Sequence, residues 1–194
     1  CDREVNCGYH MKPKEYFELY GNRESTGNSH HTPPKLTPYT PHKEPYESYN
    51  YIPFETFTAS LKSYERNNLY LYLNRLFGES LAGCLVSRYY LGTTKYLPGT
   101  PVFWYIDYDK RITTGKVIYY PDSKTGKRYK PETHFNNKPV INWVHSILKL
   151  KEYRRKPCFF GEHLLRDEPD KIVYIVESEK TALIASVLYP ESVI

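Results

Sequence analysis

Near the end of the chain a short apolar run, Ile172-Val173-Tyr174-Ile175-Val176, stops at Glu177 and gives way at once to Ser178-Glu179-Lys180-Thr181-Ala182. An uninterrupted apolar run implies a strand covered on both faces, as in parallel sheets. The residues after Glu177 have the apolar spacing of a helix. The order strand, acid, helix therefore constrains this part of the chain to a βα unit, with a strand expected over 171–176 and a helix over Glu179–Leu188. In such folds ligands gather at the carboxyl ends of strands, where Glu177 stands. Ser178 suits the helix cap, and Glu179 lies in the first turn, where the helix dipole favours an anion.

The rest of the chain divides by composition. Residues 1–21 are compact and carry Cys1, Cys7 and His10. Residues 22–54 hold Pro33, Pro34, Pro38, Pro41, Pro45 and Pro53 among Ser, Thr, Asn and Gly, which reads as an extended linker. From residue 55 the pattern turns globular. Phe57, Leu61 and Tyr64, then Leu69, Tyr72, Leu73 and Leu76, recur at helical spacing, with Asn67-Asn68 between them. Gly78 suits the end of a helix. Leu81, Leu85 and Tyr89 mark another helix, closed by Gly92. Residues 102–108 and 113–120 are rich in β-branched and aromatic side chains and read as a hairpin about Asp109-Lys110-Arg111. Residues 122–127 form a second turn. Val140, Val144, Ile147 and Leu148 predict a helix, and Cys158-Phe159-Phe160 a short buried strand or turn.

The expected fold class is therefore α/β or α+β: helices with an antiparallel hairpin sheet, then the first βα unit of a parallel sheet. No apolar run approaches the ~20 residues that span a bilayer, so no membrane helix is expected. The four cysteines lack the spacing of a disulfide scaffold, which predicts a reducing, cytoplasmic setting.

Charge points to a polyanion. The formal net charge is +5. Between residues 110 and 130 stand Lys110, Arg111, Lys116, Lys124, Lys127, Arg128 and Lys130, against the single acid Asp122. Tyr119, Tyr120 and Tyr129 lie among them, and a cationic groove with stacking faces is how single-stranded nucleic acid is held. Lys149, Lys151, Arg154, Arg155 and Lys156 form a second basic cluster. Trp104 and Trp143 read as core. His145 and His163 read as satisfied imidazoles, Cys84 and Cys158 as small core residues. Asp107-Tyr108-Asp109 reads as an acidic edge where a strand enters a turn.

The segment 172–182 resembles the first motif of the Toprim family, shared by DnaG-type primases, topoisomerases and related nucleases. The resemblance implies that Glu177 is the catalytic acid, organising Mg2+ and acting as general acid or base in phosphoryl transfer, with Lys180 close enough to meet phosphate. It also implies an Asp-x-Asp motif beyond Ile194. The spacing Cys1-x5-Cys7-x2-His10 resembles the second half of the zinc ribbon in primase-like proteins of bacterial mobile elements. Structural zinc takes four ligands, so Cys1, Cys7 and His10 imply a partial Zn2+ site. Phe103-Trp104-Tyr105-Ile106-Asp107, Thr114-Gly115-Lys116, Thr125-Gly126-Lys127-Arg128, Trp143-Val144-His145-Ser146 and 160–165 resemble the region that precedes Toprim in the same proteins.

The implied organisation is a partial zinc ribbon (1–21), a Pro-rich linker (22–54), a primase-like α/β region (55–170) and the start of a truncated Toprim domain (171–194). On this reading the chain is a piece of a DNA replication protein. The piece binds single-stranded DNA, and the complete protein joins nucleotides into primers. A replicative helicase is a further partner the resemblance allows. Two alternatives stay open: a non-catalytic zinc-ribbon and basic DNA-binding module, and a Toprim nuclease or topoisomerase-like enzyme.

Overall fold

The structure is a computed structural model that describes residues 48–130 and 132–194. They fall within one unit, Tyr46–Ile194. Cys1, Cys7, His10 and most of the Pro-rich segment lie outside the described residues.

In chain order the elements are α1 (Phe54–Ser60), a 3-10 turn (Tyr64–Arg66), α2 (Asn68–Phe77), α3 (Glu79–Tyr89), β1 (Gly92–Thr94), β2 (Thr100–Ile106) and β3 (Ile112–Ile118). Then come β4 (His134–Phe135), β5 (Lys138–Pro139), β6 (Ile141–Trp143), α4 (Val144–Ile147), α5 (Leu164–Asp167), β7 (Ile172–Val173), α6 (Glu179–Leu188) and β8 (Ser192–Val193). The helices pack with an antiparallel sheet in the order β1-β2-β3-β6, and the fold is α+β.

Local chemistry sets the boundaries. The Asn67 side chain accepts from the backbone N–H groups of Leu69 and Tyr70 and caps α2. Its amide also donates to the Gly92 carbonyl at 3.0 Å, so one fully buried residue joins the helix start to the sheet edge. Gly78, at φ +82°, breaks α2 from α3. Side chains alternate across the sheet. Val102, Trp104, Ile106 and Val117 pack with Ile52, Phe57 and Val144. Phe103 and Ile118 join Leu69, Leu73, Leu85, Val86, Tyr89, Leu183 and Val193. Packing therefore begins at Ile52, ahead of residue 55. Gly115 lies where a Cβ would come within 2.7 Å of Val102 and 2.8 Å of Val144, so the layers meet at a bare backbone.

Two expected elements differ. The helix read from Val140, Val144, Ile147 and Leu148 is strand β6 followed by the single turn α4. Lys116 pairs with Trp143, Val117 with Asn142 and Ile118 with Ile141, and this ladder outweighs the helical spacing. The strand expected over 171–176 is paired only at Ile172 and Val173, with Tyr174 N–H adding a bond to the Val193 carbonyl. β7 and β8 are parallel and α6 lies between them in sequence, so the βα unit forms. It is not covered on both faces: Ile172 is 65% and Ile175 78% exposed. The buried member of the pair is β8, with Ser192 6% and Val193 2% exposed. Among the described residues no helix is long and apolar enough to cross a membrane.

Candidate nucleic-acid interface

The first turn of α6 organises its surroundings. Ser178 Oγ accepts from the Thr181 N–H and caps the helix, as its residue type predicts. Glu177, just before the cap, is exposed. Glu179 and Lys180 reach in different directions and fix two separate parts of the protein.

Glu179 is 6% exposed. Its Oε1 accepts from Tyr105 Oη at 2.6 Å and from Lys116 Nζ at 2.7 Å. Burial alone would raise this carboxyl, but the Lys116 and Tyr105 donors outweigh it and hold the group below the usual carboxylate range. The Tyr105 phenol is pushed up, first by burial and then by its bond to the carboxylate. Trp143 stands across from Lys116 in the ladder and meets Tyr105 edge-on, with ring centroids 5.6 Å apart.

Lys180 Nζ donates to the Gly126 carbonyl at 2.8 Å and lies over the Tyr72 ring. Burial lowers its pKa. Lys180 thus anchors the loop after β3. Gly126 is itself required there. It has φ +60°, and a Cβ would approach the Tyr72 ring to 2.5 Å. Gly126→Ala is expected to cost about 1–2 kcal/mol from the left-handed backbone and the clash together. Urea unfolding of Gly126→Ala in the parent and in a Tyr72→Ala background isolates the clash. Equal losses in the two backgrounds would show that the Tyr72 contact does not matter. Asp122 shapes the same loop by accepting from the N–H groups of Lys124 at 2.7 Å and Thr125 at 2.9 Å. These bonds, from Thr125 first and then Lys124, lower its pKa.

The basic residues of 110–130 split into two groups. Lys110 is paired with Asp167, Arg111 with Asp107 and Asp109, and Lys116 with Glu179. Lys124, Lys127, Arg128 and Lys130 are exposed on the loop and carry no ion pair among the described residues. Those four are the cations of this stretch that project into solvent without an acid partner among the described residues. The tyrosines expected to stack are not available on the same terms. Tyr119 and Tyr120 are buried, and Tyr129 packs with Tyr119 and Phe135. The accessible aromatic strip is elsewhere. Trp143, expected in the core, is half-buried, with the Arg155 guanidinium 4.8 Å above its ring. His145 and Tyr153 stack at 4.9 Å with planes 4° apart. The sequence signal for this strip is the single alternation Ile141-Asn142-Trp143, easily lost under a helical reading.

Asp107 and Asp109 do form the acidic strand-to-turn edge. Asp107 is fully buried and accepts from Arg111 N–H, Arg111 Nε and Lys156 Nζ. Trp104 is core at 1% exposure. His145 Nδ1 lies 2.8 Å from Thr114 Oγ1, and His163 is buried with Nε2 on the Arg88 carbonyl. The Cys158 thiol, half-buried, is pushed up to about 11 by burial. Cys84 is exposed. Among the described residues no group of three His, Cys, Asp or Glu side chains is placed to hold a metal. Glu177 offers one carboxylate and Glu179 is committed to Lys116 and Tyr105, so these residues alone do not make up a Mg2+ site. Beside them, Tyr105, Phe160, Ile175, Glu177 and Glu179 help line an open cavity of about 360 Å3.

A family profile described as "Domain of unknown function (DUF6371)" matches residues 67–194. The chain belongs to this family. Its match opens on Asn67, the cap of α2, and takes in the antiparallel sheet, the basic loop and all of α6. No curated protein and no solved structure matches the chain.

Proposed function

We propose that this DUF6371 chain binds single-stranded DNA as part of a primase-like replication protein. One observation carries the reading. Three consecutive residues at the start of α6 serve three ends: Ser178 caps the helix behind exposed Glu177, Glu179 holds Lys116 and Tyr105 beside Trp143, and Lys180 holds the loop whose four cations have no ion pair among the described residues. The first turn of one helix thus ties the cationic loop, through Lys180, and the sheet beside Trp143, through Glu179, to the same element. Cations bind the phosphates of a strand and aromatic faces its bases.

Nucleotidyl transfer at Glu177, with Mg2+ and nucleotides, belongs on this reading to the complete protein. So do the Toprim domain, the zinc ribbon at Cys1, Cys7 and His10, and contact with a replicative helicase. The described residues supply one site carboxylate, so the chain by itself is expected to bind without turnover.

The test is fluorescence anisotropy with a labelled oligo-dT at low salt. The unmodified chain is expected to bind, and Lys127→Glu with Arg128→Glu to weaken binding at least about tenfold. With two phosphate contacts gone, the slope of log K against log salt is expected to fall by about 1.4, at about 0.7 per contact on single strands. Glu177→Gln is expected to bind within about twofold of the parent, because an exposed acid ahead of the helix repels phosphate only weakly. No binding at low salt, or binding indifferent to the loop reversal, would overturn the reading.

A further inference from the structure

Among the cations near α6, Arg155 is set apart by its surroundings. Its neighbours are neutralised: Lys116 by Glu179, Lys156 by Asp107, Arg111 by Asp107 and Asp109. Arg155 is half-buried and has no carboxylate partner among the described residues. Its guanidinium lies 4.8 Å over the Trp143 ring. The backbone beneath it is pinned, because Asn50 N–H donates to the Arg154 carbonyl and Asn50 forms a bridge with Arg155. Around it stand the Trp143, His145, Tyr153 and Tyr105 rings, and the Lys116 ammonium, neutralised by Glu179, lies 5.9 Å from the Trp143 ring centroid. Burial lowers the pKa of His145, and the nearby Arg155 charge lowers it further, which favours the neutral imidazole.

A guanidinium with no acid partner among the described residues, held over an indole on a fixed backbone, is suited to binding an anion. Arginine binds phosphate through a planar fork and stacks on aromatic faces. The indole beside it begins a row of near-parallel rings, His145 at 6.2 Å and Tyr153 at 4.9 Å beyond it, all partly exposed, and aromatic faces of this kind stack bases.

We infer that Arg155 and Trp143 form a nucleotide subsite, with phosphate on the Arg155 guanidinium and the base stacked on the strip that begins at the Trp143 indole. It deepens the DNA-binding reading above by placing one nucleotide of the strand away from the basic loop. A free nucleotide has the same chemistry, so the two sources must be separated.

Trp143 supplies the readout. The other tryptophan, Trp104, is 1% exposed and buried in the sheet, so quenching by an added ligand reports on Trp143. The chain is titrated with oligo-dT, with dTTP and with inorganic phosphate, and anisotropy is followed in parallel on labelled oligo-dT. Oligo-dT is expected to quench Trp143 emission. Arg155→Gln and Trp143→Leu are each expected to weaken oligo-dT about tenfold, the size of one stacked base or one charged contact. Only Arg155→Gln is expected to lower the salt slope, by about 0.7. Trp143→Phe, which keeps a stacking face, is expected to retain most of the affinity. Quenching by dTTP at comparable concentrations would assign the subsite to a free nucleotide, and quenching by phosphate alone would leave no role for the base and overturn the stacking. Anisotropy binding without quenching, and unaffected by Arg155→Gln, would remove the subsite and leave the DNA-binding reading intact. Absence of oligo-dT binding removes that reading, and the subsite then stands only if dTTP quenches. Should Trp143→Leu fail to fold, Arg155→Gln decides, since that side chain is half-exposed and its backbone is held by Asn50.

Discussion

Lys116→Met is expected to lower the free energy of unfolding by about 3 kcal/mol at pH 7, because it strands a buried carboxylate. The Glu179 side chain is 6% exposed and the Lys116 side chain 25%. With the ammonium gone, Glu179 Oε1 keeps only the Tyr105 hydroxyl. The isolated charge then bears most of its desolvation cost, or takes up a proton. The loss should not count as the worth of the ion pair. Replacing both charges often costs little where replacing one costs much. Lys116→Met with Glu179→Gln is therefore expected to regain about two-thirds of the loss, since the glutamine carbonyl can still accept from Tyr105. Urea unfolding of the parent, both single variants and the double variant closes the cycle. A single-variant loss under about 1 kcal/mol, or losses that simply add, would show that Glu179 is better solvated than its burial implies.

Why the sequence announced some of this and hid the rest comes down to where the partners lie. Elements set by near neighbours were legible: the helices around Asn67 and Gly78, the hairpin of β2 and β3, the Ser178 cap and α6. Each depends on residues within a few positions of itself. What depends on distant partners was not. The cation run of 110–130 reads as one patch, yet Lys110 finds Asp167 and Lys116 finds Glu179, 57 and 63 positions away. Nothing local marks which lysines such acids will claim. Residues 140–148 carry a helical spacing, and only pairing with β3 turns the first part into a strand. That one change moves Trp143 from an expected core helix to a half-buried strand end beside Arg155. The resemblance sets Lys180 near Glu177. The structure puts it on the α6 start as expected, and its ammonium on the loop carbonyl of Gly126.

Acid should unfold this protein in two stages. The first is set by His163, which is 1% exposed. Its Nε2 faces the Arg88 carbonyl, an acceptor, so Nε2 carries the proton, and the buried Nδ1 has no partner. Protonating Nδ1 would place an unpaired N–H and a charge in the core beside the Tyr90 ring. Burial therefore holds the His163 pKa below the ordinary imidazole value, against a smaller opposing effect of the Arg88 carbonyl. The sign comes from proton counting. Once the pH drops below the unfolded value near 6.5, the unfolded chain binds a proton that the folded chain refuses, so stability falls with pH. One such proton gives a slope approaching about 1.4 kcal/mol per pH unit, or up to about 2 kcal/mol between pH 6.5 and 5. The second stage belongs to Asp107, Glu168 and Glu179, whose carboxyls are held below their usual values. Their contribution is complete above about pH 5 and is lost as the pH falls through their depressed values. His163→Gln, which can still donate to Arg88, is expected to remove the larger part of the upper stage, leaving the share of His145, whose pKa burial also lowers, and to leave the lower stage in place. Stability measured by urea unfolding at half-unit steps from pH 7.5 to 3.5 separates the two. A parent profile already flat between pH 6.5 and 5 would mean that the folded state accommodates the imidazolium and that the Nδ1 side of His163 has a partner in solution.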